Sequence, residues 1–203
     1  MGGHAAGEVA SARVIECLEK VAPVSPIERY VDEVVNALET ANRSLRKEAA
    51  RRGVGTIGST VAVLLLSERR GACVWAGDSR IYHLRRGELL RLTRDHSLVQ
   101  DYVESGLLDP QEAEDSPWAH VITRAVGVDD EVNPEVHYFE IETGDRTLLC
   151  SDGLYREISD PEIAELLAPG TVREAVDALQ ALVLQRPARD NSTVIVVEAG
   201  SPA

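Results

Sequence analysis

The chain reads as an α+β protein. Helices come first, then strands, a polar excursion, further strands, two helices and a closing strand, an order unlike the regular alternation of a βαβ protein. Three observations carry this reading. An apolar stripe at helical spacing runs from Ile27 to Leu45. Short apolar runs bounded by turn residues follow from Gly53 onward. Helix-opening capping boxes then appear at Ser159 and Thr171.

Taken in order, Ala5 to about Lys20 is expected to be a helix, with Val9, Val14, Cys17, Leu18 and Val21 among its apolar positions. In the next helix Ser25 is the expected N-cap, Pro26 the first helical residue and Glu28 the partner that completes a capping box. Ile27, Tyr30, Val31, Val34, Val35, Leu38, Ala41 and Leu45 form its apolar face, and Arg46, Lys47, Arg51 and Arg52 crowd the end where cations suit the helix dipole. Val61–Leu66 and Ala72–Ala76 are short apolar strands. Arg80–Arg85 and Glu88–Leu92 flank Arg86-Gly87, a hairpin signal. Short helices are expected at Ser97–Ser105 and Asp109–Asp115, the second opened by a capping box at Asp109-Pro110-Gln111-Glu112. Strands follow at Glu135–Glu142 and Arg146–Ser151. Helices begin at Ser159-Asp160-Pro161-Glu162 and Thr171-Val172-Arg173-Glu174, and Thr193–Glu198 closes the chain as a strand.

Composition narrows the function. At 203 residues with 44% hydrophobic content, one domain with a real core is the natural reading. A net charge of −13 argues against nucleic acid as a partner. No apolar run reaches membrane-spanning length and the first residues lack a signal-peptide pattern, so a cytoplasmic protein without a membrane partner is the default. Three scattered cysteines do not make a disulfide framework, and Cys73 and Cys150 sit in apolar strands as buried thiols would.

Three aspartates stand at strand ends. Asp78 follows Cys73-Val74-Trp75-Ala76, Asp152 follows Thr147-Leu148-Leu149-Cys150, and Asp190 precedes Val194-Ile195-Val196-Val197. Each alone reads as a turn residue. Together, if their strands share a sheet, they converge into a carboxylate cluster suited to a hard divalent cation such as Mg²⁺ or Mn²⁺. A competing pattern, Cys150 to Arg156, has the C-x5-R spacing of cysteine-dependent phosphatases. It is read as accidental, because Asp152 would put a like charge in a phosphate cradle and Cys150 continues an apolar strand. The Gly55-Thr56-Ile57-Gly58-Ser59-Thr60 run lacks the Gly-Lys-Ser/Thr ending of a phosphate loop and reads as close strand packing. Arg80 is expected to pair with a carboxylate inside the fold. Asp95-His96-Ser97 is expected to cap the helix after it, with His96 structural rather than a general acid.

The ordered blocks MGGHAAGEVAS, GTIGSTV, WAGDSRIYHL, RDHSLV, VITRAVG, LCSDGLY and RDNSTVIVV span nearly the whole chain. In this order they resemble the bacterial metal-dependent Ser/Thr protein phosphatases of the PPM, or protein phosphatase 2C-like, type. The resemblance implies a four-layer αββα sandwich of two antiparallel sheets flanked by helices, and residues 97–120 as a flap beside the active site. It implies two to three Mn²⁺ or Mg²⁺ ions. Asp152 and Asp190 would hold the catalytic pair, Asp78 with Asp152 a further ion, and Asn191 would orient Asp190. His4 is a candidate proton donor. A metal-bound hydroxide would hydrolyse phosphoserine and phosphothreonine in proteins, with phosphoproteins and a cognate Ser/Thr kinase or its substrates as partners. The stretch Leu154-Tyr155-Arg156-Glu157-Ile158-Ser159 looks like phosphatases associated with type VI secretion. In the family an Asp-Gly pair and a phosphate-binding arginine precede the MGGH block. The expectation is therefore an N-terminally incomplete domain lacking its first strands, with impaired activity. The alternative is a non-catalytic relative that binds phosphoproteins or regulates a partner.

Overall fold

The computed structural model describes residues 4–109, 112, 116–187 and 190–200, leaving out the side chains of residues 4 and 5. Two helices come first, α1 (His4–Leu18) and α2 (Ile27–Arg52). Strands β1 (Val61–Ser67), β2 (Arg70–Ala76), β3 (Arg80–Arg85) and β4 (Glu88–Arg91) follow, then α3 (Leu98–Glu104). After a long excursion come β5 (Glu135–Glu140), β6 (Arg146–Cys150), α4 (Asp152–Tyr155), α5 (Asp160–Leu167), α6 (Val172–Leu184) and β7 (Val194–Glu198). One antiparallel sheet has the order β1-β2-β5 and the other β4-β3-β6-β7.

The period-two alternation of the strands builds the layers. In β2, Ala72, Val74 and Ala76 face α1 and α2, where they meet Val14, Val31, Leu38 and Leu45. Cys73 and Trp75 point the other way and join Ile81 and Leu92 between the sheets. In the second sheet Tyr82, Leu84, Leu148 and Cys150 pack against α5 and α6 through Ile163, Leu167 and Leu179. The order is helix, sheet, sheet, helix, as the resemblance implies. A strand covered on both faces reads as a continuous apolar run, which is why β2 and β6 carry no alternation in the sequence.

Local signals account for several boundaries. Arg86 and Gly87 both take positive φ (52° and 84°), the two-residue hairpin turn that joins β3 and β4. Gly53 at φ 65° ends α2, its N–H reaching back to the carbonyls of Ala49 and Ala50. The capping boxes at Ser159/Glu162 and Thr171/Glu174 are both formed. The start of α2 departs from expectation. Pro26 is the N-cap, no side chain caps the helix, and the Glu28 carboxylate accepts from Arg70 Nη1 at 2.5 Å. A guanidinium across the fold is a stronger donor than a neighbouring main-chain amide, so the Ser25 box does not form. The box expected at Asp109–Glu112, and most of the helix at 109–115, fall outside the described residues.

One residue inside α2 fixes the loop before β5. Asn42 is fully buried. Its amide nitrogen donates to the carbonyls of Asp129 (3.0 Å) and Asp130 (3.2 Å), and its carbonyl oxygen accepts from Gly127 N–H at 2.6 Å. Gly127 has φ 94°, and a Cβ there would sit 2.2 Å from the carbonyl of Ile57. Asn42→Ala strands an amide and two carbonyls and is expected to cost about 2 kcal/mol of stability. A urea midpoint that does not move would refute this role.

Candidate active site

The register of the second sheet brings the strand-end aspartates to one edge. Arg80, the first residue of β3, pairs with Cys150, the last of β6, and Cys150 pairs with Val194, the first of β7. Asp78 lies two residues before Arg80, Asp152 two residues after Cys150, and Asp190 four residues before Val194. All three therefore leave the sheet on the same side.

Each is placed by its surroundings. Gly77 has φ 126°, and a Cβ there would lie 2.4 Å from Thr60 Cγ2. The Gly77 N–H donates to His96 Nδ1 at 3.0 Å, and the His96 N–H donates to the Gly77 carbonyl at 2.9 Å. This reciprocal pair fixes the crossing from the first sheet to the second and leaves Asp78 buried. His96 is thus structural, and Ser97 caps α3 by accepting from Gln100 N–H. Ser151 and Gly153 bracket Asp152 and dock the Asp190 loop. Thr193 N–H donates to Ser151 Oγ at 3.0 Å, and a Cβ on Gly153 would fall 2.4 Å from the Asn191 carbonyl. The Ser-Asp-Gly wording thus has a packing reason on both sides of the carboxylate.

Asp152 acts on Asp78. Burial, and then the nearby Asp152 charge, push the Asp78 carboxyl up to about 6. Asp190 is engaged otherwise: its Oδ1 accepts from the Asn191 main-chain N–H at 2.7 Å. The main chain of Asn191 therefore holds one oxygen of this carboxylate. Among the described residues no three His, Cys, Asp or Glu side chains stand together as a ready-made metal cluster. The structure joins two of the three aspartates and sets the third on the same edge. The His4 side chain lies outside the described residues. The donor set fits a hard cation. It consists of carboxylate oxygens, and a divalent ion would relieve the crowding that raises Asp78.

A buried frame holds this edge. Arg80 forks onto Asp95, with Nη2 to Oδ2 at 2.6 Å and Nε to Oδ1 at 3.0 Å. The Arg80 guanidinium also lies 3.6 Å from the centroid of the Tyr155 ring. The Tyr155 hydroxyl in turn donates to the Asp78 carbonyl at 3.0 Å. Asp95 is therefore the carboxylate expected for Arg80, rather than part of a helix cap. Tyr155 and Arg156 are site residues that the sequence reading did not single out. Their signal was present, because residues three and four places after Asp152 share its face of a helical turn. Cys150 is buried and its thiol is pushed up to about 12 by burial. Burial thus disfavours the thiolate that a C-x5-R route needs.

The chain matches the family model described as protein phosphatase 2C over residues 1–186. It is 37% identical over 199 residues to the serine/threonine protein phosphatase PstP of Mycobacterium tuberculosis, covering 98% of this chain and 38% of that protein. The chain thus spans well under half the length of that relative. Among solved structures it resembles PppA, described as a key regulatory component of T6SS in Pseudomonas aeruginosa. That likeness has TM-score 0.89 and 36% identity, over 98% of this chain and 83% of the other. It equally resembles the catalytic domain of PstP in complex with two manganese ions, with TM-score 0.88 and 36% identity over 99% and 85% of the two chains.

Proposed function

Because the chain belongs to the protein phosphatase 2C family, we propose that it hydrolyses phosphoserine and phosphothreonine in proteins with Mn²⁺ or Mg²⁺ held at Asp78, Asp152 and Asp190. The observation that carries this reading is the register Arg80, Cys150, Val194, which delivers three carboxylates to one sheet edge. Divalent ions there supply charge neutralisation for the phosphate and a water of lowered pKa. The chain's own residues hold the arrangement. His96 fixes the turn that carries Asp78, Ser151 and Gly153 let the Asp190 loop approach Asp152, and Arg80 with Tyr155 braces the Asp78 main chain.

Residues 97–120 serve in this reading as the flap over the phosphopeptide. Among the described residues no helix is long and apolar enough to cross a membrane, and the proposed substrates are cytoplasmic phosphoproteins, those of a cognate Ser/Thr kinase included. The likeness to PppA extends the proposal to a phosphoprotein that regulates a secretion apparatus. A second reading, a phosphoprotein-binding module without catalysis, draws on the Asp190 carboxylate being occupied by its own loop.

Phosphate release from phosphoserine and phosphothreonine peptides, with and without Mn²⁺, separates the two. Metal-dependent release on both peptides supports hydrolysis. Tight peptide binding without release at saturating Mn²⁺ supports the binding module. Cys150→Ser is expected to keep whatever hydrolysis is measured within about twofold. Its loss, with the fold intact by circular dichroism, would revive the thiolate route.

A further inference from the structure

One side chain ties the segment around Trp118 to the acidic edge. Arg156 lies four residues after Asp152, and its Nε stands 3.4 Å from Asp152 Oδ2. Its Nη2 donates to the Ala119 carbonyl at 2.9 Å, and its Nη1 donates to a ring nitrogen of His120. The guanidinium side chain is 26% exposed, so these bonds are partly shielded from water. Among the described residues of that turn Ala119 is the one buried hydrophobic side chain. The helix α3 at the start of the segment buries no residue, and Trp118 is 54% exposed. Two main-chain bonds also fasten the segment, Leu98 N–H to the Val121 carbonyl and Thr123 N–H to the His96 carbonyl, both 2.9 Å. A guanidinium suits the place because its planar fork serves a carboxylate on one side and the turn on the other, which an ammonium cannot do.

We propose that Arg156 is a positioning residue that couples cation capture at Asp152 to the placement of the 116–121 turn beside the site. The proposal rests on the reading of Asp152 as a metal ligand. A cation that takes the Asp152 carboxylate removes one of the partners that orient the Arg156 guanidinium, and the turn loses the fixed end of its strap. Coupling of this kind is reciprocal. Whatever holds the turn against Arg156 therefore also leaves Asp152 less free to bind the ion.

Two measurements on the whole chain test it: a Mn²⁺ titration followed by electron paramagnetic resonance, and hydrogen exchange of the peptide covering 116–121 with and without Mn²⁺. In the unaltered protein Mn²⁺ is expected to speed exchange of this peptide by about threefold, the scale of a partly exposed ion pair. Arg156→Ala is expected to exchange about tenfold faster without the ion, as loss of a charge-assisted bond implies, and to show no further response to Mn²⁺. With the competing cation gone it should also bind Mn²⁺ about threefold more tightly, a change that a merely structural strap would not produce. Arg156→Lys keeps the charge and guards against misfolding of the alanine variant. It should hold Mn²⁺ affinity near that of the parent and still lose the protection at 116–121. Exchange at 116–121 unchanged by Mn²⁺ and by both variants would overturn the coupling. Asp152→Asn separates the two ideas. If it removes Mn²⁺ binding while the Arg156 variants change nothing, the metal reading stands and the coupling falls. If Mn²⁺ binding survives Asp152→Asn, the metal reading falls and takes the coupling with it.

Discussion

Asp152→Asn is expected to abolish Mn²⁺-dependent phosphate release and to weaken Mn²⁺ binding by at least about tenfold, while making the metal-free protein more resistant to urea. In the proposed metal site, loss of function follows from removing a charged oxygen donor from a divalent ion. The gain in stability follows from the neighbour. Asp78 is buried, and the Asp152 charge is one reason its carboxyl is raised to about 6, so a neutral amide at 152 lifts a like-charge repulsion. The Asp152 pair with Arg156 is long, at 3.4 Å, and its loss costs little. Most substitutions destabilise. An inactive variant with a raised urea midpoint therefore marks a residue kept for its charge rather than for the fold. An inactive variant with a lowered midpoint would mean that Asp152 is structural.

Arg80→Ala is expected to produce the largest loss of stability of any single substitution considered, about 3 kcal/mol, because it leaves the buried Asp95 carboxylate with only the more distant Arg91 Nη1, at 3.9 Å, as an ion-pair partner. The Arg80 and Asp95 side chains are only 17% and 9% exposed, so water compensates the lost pairing poorly. The same substitution removes the cation over Tyr155, whose hydroxyl holds the Asp78 carbonyl. Mn²⁺ binding is therefore expected to suffer even in whatever fraction stays folded. Arg80→Met combined with Asp95→Leu removes both charges and is expected to regain part of the loss, since a buried ion pair replaced by apolar groups of similar size is often neutral. Urea unfolding of the single and double variants checks this. A single variant that loses less than about 1 kcal/mol would show that Asp95 finds another partner.

The parts of this fold that were legible in the sequence are those governed by near neighbours. Glu162 and Glu174 reach back three residues to Ser159 and Thr171, and both boxes form as read. Arg86-Gly87 demanded a turn with two positive φ values and has one. The three aspartates were legible as strand ends, and antiparallel pairing sets those ends on one side of the sheet, without gathering three such side chains into a cluster among the described residues. What was not legible depends on partners far along the chain. Glu28 was assigned to its own helix start, but Arg70 stands 42 residues away and takes it. Asn42 sits mid-helix, where its residue type signals only weak helix preference, and its partners lie 85 to 88 residues further on. Arg156 was read as the end of an accidental C-x5-R match and as part of the Leu154–Ser159 stretch, with no role of its own, because nothing near it in sequence announces Ala119 and His120.

The buried thiols have a consequence for life under oxidative stress. Cys73 and Cys150 lie in the two sheets, Cys150 directly before the acidic edge, and burial pushes both thiols up to about 12. Peroxide and alkylating agents act on thiolates that they can reach. Phosphatases that work through a cysteine are silenced by such reagents and so can be switched off by a redox signal. Here the sulfur nearest the site is protonated and enclosed by apolar neighbours, leaving the half-exposed Cys17 in α1 as the open target. Under the proposed function, dephosphorylation at this edge would continue through a burst of oxidant that stops a thiolate enzyme, and a cell holding both kinds could reset its serine and threonine signals while its thiol-based ones are frozen.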